Sequence, residues 1–155
     1  MNRVMTLLFC LLLAAPAWAA NAVNFNVKLS GDNEVPPVET ETTGTAILHV
    51  SQDLTEIDFK LDVRDGEDAL GVAGSHLHCG AAGVNGPVVV FLAGAAPPGF
   101  DGDIQVRATL SDDSIINAAC GETIADLVES ILDGNVYVNV HSIAFPGGVI
   151  RGQVE

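Results

Sequence analysis

The sequence predicts an all-β fold, an antiparallel sandwich or barrel of eight short strands with one short α-helix near 123–133. Three observations point there. Sixteen glycines and seven prolines, against one Trp and one Tyr in 155 residues, suit many short elements joined by turns. In Thr55–Arg64, Ile57, Phe59, Leu61 and Val63 alternate with Asp58, Lys60, Asp62 and Arg64, the pattern of a sheet with one wet face. Only Thr123–Asp133 has helical spacing, through Ile124, Leu127, Val128, Ile131 and Leu132.

Taken from the start, residues 1–20 read as a leader rather than as structure. Arg3 supplies a positive charge, Met5–Ala15 is an apolar run, and Pro16-Ala17-Trp18-Ala19 is a small-residue exit. The run falls short of the roughly 20 residues that cross a bilayer, and no other segment is long and apolar enough. The expectation is a signal peptide over 1–20, a single domain over 21–155, and a periplasmic or secreted location without a membrane span.

Seven further strands are expected at Phe25–Leu29, Gly44–Ser51, Val72–His78, Pro87–Leu92, Ile104–Leu110, Asn135–His141 and Gly148–Val154. Turn residues punctuate them at Gly31-Asp32-Asn33, Gly83–Gly86, Pro97-Pro98-Gly99 and Pro146-Gly147-Gly148, with Ala93–Gly102 as loop. The helix opens on Thr123 with Asp126 three residues on, a capping pair, and Gly134 sits where a C-terminal glycine belongs.

The chain carries 20 Asp+Glu against 6 Lys+Arg, a net charge of −14. Loss of Arg3 with the leader makes it 5 bases against 20 acids, or −15. This excludes nucleic-acid binding through phosphates and argues against docking on an anionic membrane. Metal ions and other cationic partners remain. Of three cysteines, Cys10 leaves with the leader, so Cys79 and Cys120 form an even pair in an oxidising compartment. A disulfide is the expected outcome, and a thiolate metal ligand at Cys79, beside His78, is the alternative.

The four histidines carry most of the chemistry. His76 and His78 share one face of their strand and Leu77 the other. Val136, Val138 and Val140 share a face opposite Tyr137, Asn139 and His141. Leucine and the valines belong in the core, so His76, His78 and His141 point outward and meet if their strands are neighbours. His49 also points outward, but its strand belongs to the other sheet, and its role as a ligand is left open. Three imidazoles without a carboxylate suit copper, with zinc as the other candidate. Tyr137 and Asn139 are placed to orient the ligands. Calcium has a weaker case in Asp32-Asn33-Glu34 and Asp101-Gly102-Asp103, which lack the spacing of an EF-hand loop and read equally as solvated acids. No Ser-His-Asp order and no phosphate-cradling glycine loop is present.

Four blocks, "LSGDNEVPPVET" at Leu29–Thr40, "GTAILHVS" at Gly44–Ser51, "HLHCGAAGVNGPVVVFL" at His76–Leu92 and "ILDGNVYVNVHSIAFPGGVIRGQ" at Ile131–Gln153, together resemble the CHRD domain, named after chordin. The resemblance covers nearly all of the chain after the leader, and it implies no agreed enzymatic reaction. In chordin such domains accompany modules that bind growth factors, which implies an interaction or scaffold role. The growth-factor partner does not carry over to a single-domain chain.

The strand order and the placing of His76, His78 and His141 are also distantly similar to copper-zinc superoxide dismutases. That likeness implies an eight-stranded Greek-key sandwich, with His76 and His78 corresponding to paired copper ligands and His141 to a ligand on the later strand. Gly80–Pro87 is too short for a zinc loop, Ser142–Gly148 replaces the long steering loop, and Arg151 lies inside a strand rather than beside the metal. Fast dismutation is not implied. The expectation is an exported protein holding one copper ion at a three-histidine surface site, for storage, delivery or redox chemistry. Any oxidoreductase activity would be weak and copper-dependent. The alternatives are a metal-free module binding an envelope protein, a polysaccharide or a second copy of itself, and, third, a dismutase.

Overall fold

The computed structural model describes residues 23–69, 74–92 and 100–155. The leader expected over 1–20, the start of the strand expected from Val72 and the Pro97-Pro98-Gly99 turn lie outside them. Among the described residues eight strands follow in chain order: β1 Asn24–Leu29, β2 Thr43–Val50, β3 Ile57–Ala69, β4 Ser75–Cys79, β5 Val88–Phe91, β6 Phe100–Leu110, β7 Val136–Val140 and β8 Ile150–Gln153. The one α-helix among the described residues, α1 (Ile124–Leu132), lies between β6 and β7. The strands form two four-stranded sheets, ordered β1-β2-β3-β6 and β5-β4-β7-β8, with every pair antiparallel. Because β6 lies beside β3 and β7 beside β4, the chain crosses repeatedly between sheets, as a Greek-key sandwich requires.

The first sheet obeys its period-2 pattern. β1 and β2 alternate exposed and buried residues without a break, and Leu48, Ile57 and Leu61 face the core. From the second sheet Leu77, Val138 and Ile150 meet them, with Ile124, Leu127 and Ile131 of α1 closing one end. The helix forms where its spacing put it: Thr123 and Asp126 make a reciprocal capping box, and Gly134 takes a left-handed φ of 73° just past the end. Leu132, counted in its apolar stripe, is instead exposed.

One pair of strands is longer than expected. β3 and β6 continue past Arg64 and before Ile104 as a two-stranded extension, so Phe100–Gly102 is strand rather than loop. Register shifts between Val63 and Gly66 and between Gly66 and Ala69 explain why alternation fails there while pairing persists. At the other side the two sheets nearly close. Ser30 and Arg151 exchange backbone hydrogen bonds, both 3.1 Å, and Gly152 packs so tightly on β1 that a Cβ would lie 2.5 Å from the Lys28 carbonyl oxygen.

Candidate metal centre

Register builds the site. In the β4–β7 pair Leu77 lies opposite Val138, both core residues, which sets His76 opposite Asn139 and His78 opposite Tyr137 on the outer face. His141 follows β7 directly and is anchored by its own N–H to the Gly74 carbonyl at 2.6 Å. The three imidazoles converge as their strand faces predicted, each offering one nitrogen within 4.8 Å of the others. His76 Nδ1 and His141 Nε2 are 3.0 Å apart. Two imidazole nitrogens held at about 2.0–2.1 Å from one ion lie about 3.0–3.6 Å apart, so the group is close to a coordinating arrangement.

Two of the rings are already oriented. His78 Nδ1–H donates to the Gly86 carbonyl at 2.9 Å, and His141 Nδ1–H to the Pro146 carbonyl at 2.9 Å. A carbonyl only accepts, so Nδ1 carries the proton in both rings and Nε2 presents a lone pair. His78 Nε2 is buried and has no hydrogen-bond partner within the protein. Burial holds both rings below the usual histidine range. At His78 the Gly86 bond opposes this, while repulsion from His141 when that ring is protonated and from the Arg151 cation adds to it; at His141 the Pro146 bond opposes it.

The expectation of a surface site needs correction. The trio does face away from the core, yet His76, His78 and His141 are only 7%, 8% and 8% exposed. Loops roof the outer face of this sheet. Asn85 Nδ2 donates to the Val35 carbonyl at 2.7 Å, joining the loop after the single-turn 3-10 helix Gly31–Asn33 to the one between β4 and β5. The Phe91 ring stands 4.9 Å edge-on to His76. Tyr137 stacks on His78 at 4.8 Å, and its hydroxyl accepts the Gly86 N–H at 3.1 Å, so Tyr137 supports both the ring and the carbonyl that orients it.

Three other placements differ from expectation. Arg151 lies inside β8 as expected, but it is tied to the site through Tyr137: it is 2% exposed, its guanidinium sits 3.4 Å over the Tyr137 ring, and it donates to Asn85 Oδ1 and the Ala81 and Val84 carbonyls. Glu34 is not a solvated acid but is buried, accepting from Asn139 Nδ2 at 2.8 Å. Burial pushes its carboxyl from the usual 4.5 up to about 7, against the pull of that bond and of Arg151. Asn139 thus braces the roof rather than bonding a histidine. The only sequence signal for either residue was position, Glu34 beside the Gly31-Asp32-Asn33 turn and Arg151 inside the last strand. His49 lies exposed on β2 of the other sheet, bonded to Asn24, away from the trio.

A disulfide joins Cys79 to Cys120, with Cα atoms 5.6 Å apart, and ties the end of β4 to the turn Ala118–Cys120. With its sulfur so occupied, Cys79 offers no thiolate to the group. No helix among the described residues is long and apolar enough to cross a membrane. The family model of the CHRD domain matches residues 25–154. No curated protein and no solved structure matches the chain.

Proposed function

The chain belongs to the CHRD-domain family, and from that premise and the geometry of its three histidines we propose that it is an exported copper-binding protein. His76, His78 and His141 hold one ion, and the protein stores it, delivers it or uses it in redox chemistry. The observation that carries this reading is the buried, unpartnered Nε2 of His78, turned toward two further imidazoles by a carbonyl on its far nitrogen. A lone buried acceptor costs stability unless something binds it. A neutral all-nitrogen donor set suits copper, with zinc next, and it is a poor set for calcium. Bound copper supplies one-electron chemistry or serves as cargo; this chain's part is to hold three neutral imidazoles, oriented by Gly86, Pro146 and Tyr137, away from water. The leader over 1–20 supports export, to the periplasm or beyond.

The test is metal content of the protein purified from the exported fraction, with electron paramagnetic resonance recorded after oxidation. Wild type should carry one copper per chain with a nitrogen-rich signal, and His76→Ala and His141→Ala should both lose it. A signal indifferent to both substitutions overturns the reading and leaves an envelope interaction module.

A further inference from the structure

We propose that this centre, granted the copper reading above, is selective for monovalent Cu(I) over divalent Cu(II) and Zn(II), and that the charge of Arg151 sets the preference. The ligand group among the described residues contains no carboxylate and no thiolate. An ion held there keeps its full charge. With the three rings at most 8% exposed, bulk water offsets little of it. The cost of burying a charge rises with its square, so a dication is penalised far more than a monocation. A d10 monovalent ion is also satisfied by two or three ligands and needs no coordinated water.

Arg151 adds a second, independent bias. β4 and β8 flank β7 on opposite sides, so Tyr137 is held between two neighbours, the His78 ring 4.8 Å away and the Arg151 guanidinium 3.4 Å away. All the side-chain hydrogen bonds of Arg151 go to neutral oxygens, those of Asn85, Ala81 and Val84. The ion pairs among the described residues are Lys60–Asp62 and Arg64–Asp103, so no bridging carboxylate neutralises Arg151. Glu34, the acid nearest in effect, is buried and partly protonated near neutral pH. With the guanidinium 3.4 Å from the Tyr137 ring and that ring 4.8 Å from His78, a fixed cation on the order of 10 Å from an ion held there, at an effective dielectric near 20, disfavours each added unit of metal charge by about tenfold.

The experiment measures three affinities of the metal-stripped full chain at pH 7: Cu(I) by anaerobic competition with bicinchoninate, Cu(II) by competition with nitrilotriacetate, and Zn(II) by competition with a zinc-binding dye. Zn(II) shares the charge of Cu(II) and the closed shell of Cu(I), so it isolates charge from redox state. Wild type should favour Cu(I), with a reduction potential above that of the aqueous copper couple. Arg151→Gln should strengthen Cu(II) and Zn(II) about tenfold relative to Cu(I), while Arg151→Lys, which keeps the charge, should hold the ratio within about threefold. Parallel weakening of all three ions in both variants would mean that Arg151 acts only by bracing the loop, and the charge argument fails. A wild-type potential below the aqueous couple overturns the selectivity even if Arg151→Gln does not fold. Absence of copper binding in either state, or binding indifferent to His76→Ala, sinks the site itself and is told apart from both.

Discussion

Gly148 shows how little freedom a single position has beside the centre. Its φ is 134°, and a Cβ there would lie 2.5 Å from Glu34 Oε1 and 2.7 Å from Asn139 Nδ2. Both atoms belong to the buried bond that fastens the roof, so neither can move aside cheaply. Gly148→Ala should cost about 2–4 kcal/mol in urea unfolding, from backbone strain and the broken contact together. Tyr137→Phe is a milder change. It keeps the ring between His78 and Arg151 and removes the acceptor for the Gly86 N–H together with the O–H that reaches the Gly86 carbonyl at 3.4 Å. A loss of about 1–2 kcal/mol is expected in the same assay, because a part-buried donor is left without its partner. A loss above that range would mean that the hydroxyl holds the whole loop between β4 and β5 rather than Gly86 alone.

Elements were legible where one face of a strand is wet and the other dry. β3 announced itself through Ile57, Phe59, Leu61 and Val63, and the histidine faces followed from Leu77 and Val138, since side-chain direction on a strand alternates whatever the tertiary context. The roof was not legible. It depends on contacts such as Glu34–Asn139 and Asn85–Val35, which join residues far apart in the chain, and loops carry no period from which to read them. The extension of β3 and β6 was hidden for a related reason: bulges near Gly66 break the alternation that marks a strand. The cysteine pair was readable from counting alone. Closing a loop 41 residues long, it restricts the unfolded chain by about 4 kcal/mol. Reduction should therefore lower the unfolding free energy by about that amount, read from denaturant midpoints with and without reductant. A negligible change would place the bond outside the cooperative unit.

For the molecule as a whole, two opposed titrations shape stability. His78 and His141 bind protons less readily folded than unfolded, so their contribution is full above the unfolded value of 6.5 and is lost as pH falls through their lowered values. Glu34 binds its proton more tightly when folded, so its contribution is full below 4.5 and is lost as pH rises through about 7. Glu34→Gln should leave acid stability unchanged and make the metal-free chain relatively more stable as pH climbs from 5 to 8, by thermal melting. A difference that does not vary with pH would show that the buried carboxyl is already ionised. Copper affinity should fall across the histidine range as well, because only neutral imidazole binds.

The two sheets divide their work unequally. All three histidines, their orienting carbonyls, Tyr137 and Arg151 belong to the β5-β4-β7-β8 sheet and its loops, while the outer face of β2 presents Thr45, Ile47 and His49 to solvent. That second face is a natural handle for instrumentation. A cysteine introduced at Thr45 would carry a fluorophore or an electrode tether on the side of the protein turned away from the metal, so that quenching or current would report on an ion the attachment never touches.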